Sequence, residues 1–77
     1  MTQTLDMIKI GQNAVIRQLM NEDKMKRRLF DIGLIEGTKV ECVTKSPSGD
    51  PAAFSVRGAV IALRSEDSKN IIVDLEG

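Results

Sequence analysis

Histidine, tryptophan and tyrosine are absent from this chain of 77 residues, and cysteine occurs once, as Cys42. Without imidazole no side chain has an ordinary pKa suited to proton transfer near neutral pH. Borderline divalent metals also lose one of their two favoured ligands, and the other, thiolate, is limited to a single position. One cysteine cannot close an intramolecular disulfide, which fits a reducing, cytoplasmic setting. The only aromatics are Phe30 and Phe54. Two rings are too few to line a groove for proline-rich peptides or to stack successive bases. No apolar run approaches the roughly 20 residues of a membrane span. The polar residues 1–4, followed by the short mixed run 5–10, do not resemble a secretory leader. The protein is therefore expected to be cytoplasmic and not membrane-embedded. Lys+Arg and Asp+Glu balance at 11 each, leaving no cationic excess to neutralise phosphates, so nucleic acid is not an expected partner.

Catalytic signatures are also missing. There is no nucleophile elbow, phosphate-cradling glycine loop or metalloprotease motif. The paired acids Glu22/Asp23 and Glu66/Asp67 stand where helix starts favour negative charge. The expectation is a non-enzymatic protein without cofactor or metal site. Cys42 shares a strand face with Val40, the place of a small buried hydrophobe rather than a ligand. The carboxylates Glu22, Asp23, Asp50, Asp67 and Asp74 have no spacing that singles out a metal-binding set.

What the chain does contain is clearest around Arg27-Arg28-Leu29-Phe30-Asp31-Ile32-Gly33-Leu34-Ile35-Glu36-Gly37-Thr38-Lys39-Val40. Asn21 reads as an N-cap, with Glu22 and Asp23 in the first turn. Met25, Leu29 and Ile32 recur at i, i+4 and i+7 with Phe30 beside them. They form one apolar stripe with Lys24, Arg27, Arg28 and Asp31 largely off it. At about ten residues this helix depends on packing rather than on its own propensity. Arg27 and Asp31 are spaced for a weak i, i+4 pair. Gly33 can take the positive φ of a C′ position, which would bring Leu34 onto Leu29 in a Schellman stop. Gly37 can supply the positive-φ corner of a turn over residues 35–38.

The remainder alternates as strands do. Residues 5–10 suit a short turn or first edge strand. The run 14–20 alternates imperfectly around Arg17 and Gln18, as a bent strand would. Residues 38–45 put Val40 and Cys42 on one face and Glu41 on the other, with Val43 breaking the pattern. The Ser, Pro, Gly and Asp of 46–51 mark a loop. Phe54 and Val56 then alternate with Ser55 and Arg57, Gly58 marks a tight turn, and Ile61 and Leu63 share a face. Ser65 opens a single helical turn, and Ile71, Val73 and Leu75 alternate to the end. Both phenylalanines fall on expected core faces. The chain reads as one domain over residues 1–77, mainly β with one inserted helix: a small partly open β-barrel, with an α+β sandwich of the same elements as the alternative.

In order and spacing these motifs resemble the FeoA family: the Arg-Arg-Leu helix end, Gly33-Leu34-Ile35-Glu36-Gly37, Gly49-Asp50-Pro51, Val56-Arg57-Gly58, Ala62-Leu63-Arg64 and the terminal Ile-x-Val. The match covers roughly residues 5 to 75. The resemblance implies an SH3-like barrel acting as an accessory or regulatory protein of ferrous iron uptake. Its implied partner is the membrane ferrous iron permease with a cytoplasmic GTPase domain. Weak self-association is a second expected contact. The partner surface expected on this chain is the helix end and turn, Arg27, Arg28, Leu34 and Ile35, with Arg57 on the rim. A rival reading is a metal-binding domain, iron-carrying or iron-sensing, related to the C-terminal domain of metal-dependent repressors and using carboxylates with Cys42. Two positions depart from the family pattern. Glu36 replaces a proline that would preset the turn, a loss of roughly 0.4–1 kcal/mol. Ser68 and Asn70 replace small apolar residues, so the last helical turn is expected to be less buried.

Overall fold

The computed structural model describes residues 1–76; Gly77, the end of the expected domain, lies outside them. Six strands form one antiparallel sheet: β1 (Thr2–Thr4), β2 (Asn13–Leu19), β3 (Lys39–Lys45), β4 (Ala52–Val56), β5 (Ala59–Leu63) and β6 (Ile71–Leu75). Their order across the sheet is β1-β6-β2-β3-β4-β5. Because β1 and β5 are not bonded to each other, the curled sheet stays partly open, as expected. A 3-10 turn (Leu5–Met7) follows β1, helix α1 (Asp23–Asp31) links β2 to β3, and the single turn α2 (Ser65–Ser68) links β5 to β6.

The irregularities read in the sequence are bulges. The β2–β6 register shifts between Ile16 and Gln18, so Arg17 is the extra residue that bends the strand. Turned outward, its Nε donates to the Asp74 carboxylate at 2.5 Å, while Thr2 Oγ1 donates to the other oxygen at 2.8 Å. One carboxylate thereby ties β1, β6 and β2 together. The β3–β4 register shifts between Cys42 and Thr44, which leaves Val43 on the surface.

Phe54, Leu5, Ile8, Ile16, Leu29 and Leu34 fill the interior with Val40, Cys42, Val56, Ile71 and Val73, each at most 1% exposed. This closes the inside of the sheet with aliphatic side chains around one ring. Burial pushes the Cys42 thiol pKa up, against a smaller opposing effect of Lys45.

Several local expectations are corrected. There are six strands, one more than the sequence reading placed: β1 forms from a polar tripeptide along the edge of β6. Phe30 is 63% exposed, because on a narrow helix a residue about 100° round from buried Leu29 cannot share its stripe. Asn21 is not the N-cap; Glu22 holds that position without a side-chain cap bond. Asn21 is instead drawn inward, and its Nδ2 donates at 2.9 Å to the Asp67 carbonyl of α2, a terminal acceptor needing a donor. Ser68 is buried at 2%, against the expectation of a more exposed turn. Arg27 and Asp31 form no ion pair; the pairs among the described residues are Arg17–Asp74 and Lys39–Glu76.

Candidate functional site

The end of α1 is built by its own backbone. The Leu34 N–H donates to the Leu29 carbonyl at 2.9 Å and the Gly33 N–H to the Phe30 carbonyl at 3.0 Å, the paired bonds of a Schellman stop. Gly33 has φ 95°. Leu34 is thereby folded under the helix and is fully buried. This corrects its expected role as a docking anchor: its side chain is part of the interior and caps the helix from below. Ile35 emerges half-buried. The turn then closes through Thr38 N–H to the Ile35 carbonyl at 3.1 Å, with Gly37 at φ 91°.

A second turn meets this one from across the sheet. Val56 and Ala59 pair directly, so Arg57 and Gly58, with φ 52° and 84°, make a two-residue hairpin loop of type I′ character. Arg57 holds its positive φ without being glycine, and its side chain runs over the helix stop. A Cβ placed on Gly33 would lie 3.3 Å from Arg57 Cδ and 3.8 Å from its Nε. A cation is thus set beside the negative end of α1, where the helix dipole favours it.

The expected site residues therefore divide. Arg57 and Ile35 lie at the helix end, Arg57 against Gly33. Arg27 lies on the flank with Lys26, Phe30 and Asp31, around a shallow depression. A neighbouring groove runs from Lys26 and Phe30 past Leu19 to Ile35 and Glu36, with Arg17 at its margin. Arg28 faces the other way, into a groove with Met25, Ile32 and Leu63. Phe30 is the residue that sequence reasoning missed. Its signal was present: Lys26 and Arg27 stand at i−4 and i−3, so the helix face beneath the ring is charged and solvated. The surface combines an exposed aromatic, flanking aliphatics and a cationic rim, the composition of a contact surface rather than of a reaction site.

The elements of the rival metal reading are dispersed. Cys42 is enclosed by the core, and among the described residues no group of three or more Cys, Asp or Glu is placed to hold an ion. No helix is long and apolar enough to cross a membrane.

Comparison with known proteins gives this geometry its context. A solved FeoA protein from Chlorobium tepidum, 28% identical, superposes with a TM-score of 0.93 over 97% of this chain and 71% of its own. FeoA from Stenotrophomonas maltophilia, solved with zinc and described as an unusual procaryotic SH3 domain protein, is 30% identical, with a TM-score of 0.83 over 94% of this chain and 89% of its own. An Fe(2+) transport protein A/Fe(2+) transporter FeoB fusion protein of Porphyromonas gingivalis is 28% identical over 65 residues, 84% of this chain but 8% of that much longer one. The expected SH3-like architecture thus has solved counterparts over nearly the whole length. Since the FeoA domain model matches residues 3–75, both helices and all of the six strands but Thr2 of β1, the chain belongs to the FeoA family, a family involved in ferrous iron transport.

Proposed function

We propose that this protein is a cytoplasmic, non-enzymatic accessory of ferrous iron uptake that acts by touching the membrane permease at its cytoplasmic GTPase domain. The observation that carries this reading is the Porphyromonas gingivalis relative, where a stretch resembling this chain shares a polypeptide with an Fe(2+) transporter. Covalent linkage holds two domains at a high effective concentration, which suits a contact too weak to persist between separate chains. The surface assigned to that contact is the outer flank of α1 and the turn after it. Phe30 is the anchor, Ile35 the second apolar element, and Arg27 and Lys26 the cationic rim. Arg57 sits at the edge, and Arg28 on the opposite flank takes a lesser part.

Titration of the partner's cytoplasmic domain tests this. Phe30→Ser should weaken binding about 30-fold, the effect of losing a hot spot worth about 2 kcal/mol. Arg27→Glu should slow association and flatten the salt dependence, because an attractive charge is lost. Phe30 is too exposed for its loss to move stability by more than about 0.5 kcal/mol, so folding does not confound the readout. Unchanged affinity in both variants would remove the assignment.

A further inference from the structure

Between the start of α1 and the turn α2 lies a small depression lined by Asn21, Glu22, Met25, Glu66, Asp67 and Asn70. Three of the six carry carboxylates and none carries a positive charge. The ion pairs among the described residues, Arg17–Asp74 and Lys39–Glu76, leave all three acids without a cation. The nitrogens of the two amides are held by α2. Asn21 Nδ2 donates to the Asp67 carbonyl at 2.9 Å, and Asn70 Nδ2 donates to the Glu66 carbonyl at 3.2 Å.

Asn21 forms the floor. It is 7% exposed, and its Oδ1 is buried without a donor, a state in which folded proteins leave few polar atoms. The start of α1 accounts for an acid at Glu22, where the helix dipole favours one. It does not account for an unpaired amide oxygen beside that acid. Met25 is half-buried and supplies one apolar wall. The lining is therefore a set of acceptors with an apolar side, and what it lacks is a donor.

We infer that this depression takes the lysine side chain of a partner protein, with its ammonium among the carboxylates and its methylene stem along Met25. An ammonium offers three donors and no acceptor, which matches a lining that accepts throughout. Its stem packs on apolar surface while the charge sits beyond. A metal ion fits less well. Carboxylate oxygens close to about 2.0–2.6 Å around a hard cation, and among the described residues no three acids are so placed. Hydrogen bonds to an ammonium form at about 2.7–2.9 Å and need less convergence. Arginine is also the poorer occupant, because its rigid planar fork suits one carboxylate met in its own plane. Here the acceptors stand on two separate elements, and the three rotatable donors of an ammonium can reach both. The chain's own Lys24, Lys26 and Lys69 are close in sequence, yet none lines the depression. This inference stands apart from the permease contact, since the depression and the Phe30 flank involve different residues.

Amide NMR of the isotope-labelled chain, titrated at low ionic strength with an acetylated, amidated peptide of alternating glycine and lysine, tests it. Saturable shifts should gather at Glu22, Met25, Glu66 and Asp67, with the side-chain amide signals of Asn21 moving alongside. The Glu22→Gln/Glu66→Gln double variant should bind about fivefold more weakly, as loss of two exposed charge contacts would give. Both side chains are exposed, so the variant keeps its fold. The same peptide with arginine in place of lysine should bind more weakly than the lysine form. Shifts that never saturate, or that are as large at Glu36, Glu41 and Glu76, would reduce the effect to general charge attraction and overturn the proposal. An unmoved Asn21 side chain, full affinity in the double variant, or equal binding of the arginine peptide would overturn it too. Magnesium chloride saturating the same residues at a lower concentration than the peptide would overturn it in favour of a metal ion.

Discussion

Gly33 and Gly37 are a matched pair for measuring what Arg57 does at the helix end. Both have left-handed φ, 95° and 91°, so alanine at either position adds a Cβ where it costs about 1–2 kcal/mol. At Gly37 the added atom meets nothing within 4 Å. At Gly33 it meets Arg57 Cδ at 3.3 Å, with Val56 Cγ1 at 3.9 Å behind. To make room, the Arg57 side chain, carried on a two-residue turn, would have to give by a few tenths of an ångström and leave its place over the helix stop. The crowding should add about 1 kcal/mol, the lower end for overpacking. Gly37→Ala is therefore expected to lower stability by about 1–2 kcal/mol and Gly33→Ala by about 2–3 kcal/mol. In a domain this small, that difference separates their melting temperatures by about 4–8 °C. Urea unfolding followed by far-ultraviolet circular dichroism measures both, provided the slopes agree. Combining each alanine with Arg57→Ala completes the cycle: the penalty at Gly33 should fall to that at Gly37, and the latter should not move. If the two alanine variants unfold together, or if the gap survives loss of the Arg57 side chain, the reasoning about this contact is wrong.

Two further outcomes are expected. Leu34→Ala should cost about 2–5 kcal/mol, as truncation of a fully buried leucine does, and calorimetry showing less than about 1 kcal/mol would return Leu34 to the surface. The Thr2 hydroxyl first, and then Arg17, hold the Asp74 carboxyl below its usual range. Its folded pKa is thus below the unfolded one, so this stabilisation is present above the ordinary value of 3.8 and fades as pH falls through the folded value. Unfolding midpoints through the acid range should drop less steeply for Asp74→Asn than for the natural chain; equal slopes would deny the carboxylate this role.

Legibility in the sequence followed how local each cause was. The helix stop at Gly33 and the turn at Gly37 depend on residues within a few positions of each other, and both could be read directly. The bulges at Arg17 and Val43 were visible as breaks in alternation, because an extra residue shifts every later side chain by one face. Asn21 was misread because its partner, the Asp67 carbonyl, is far away in the chain, and a tertiary acceptor outweighed the local cap. Strand β1 carries too few residues to show a period, and its formation rests on β6. At the candidate site, Arg27, Ile35 and Arg57 could be chosen from charge and turn position. Leu34 was separable from Ile35 in principle, because the stop read at Gly33 already laid it on Leu29, and its choice as a contact residue ran against that reading. Phe30 was assigned to the interior by hydrophobicity alone, although its charged neighbours one turn back argued otherwise.

The Met1 carbonyl accepts the Leu75 N–H at 3.0 Å, so the two extremities leave the sheet at one spot. A domain with its ends side by side can be grafted onto a larger polypeptide through either of them without altering how it is presented. By the same geometry, a brief bridge could join the extremities and a fresh opening be cut at the exposed stretch around Ser48, giving a rearranged connectivity around an unchanged interior.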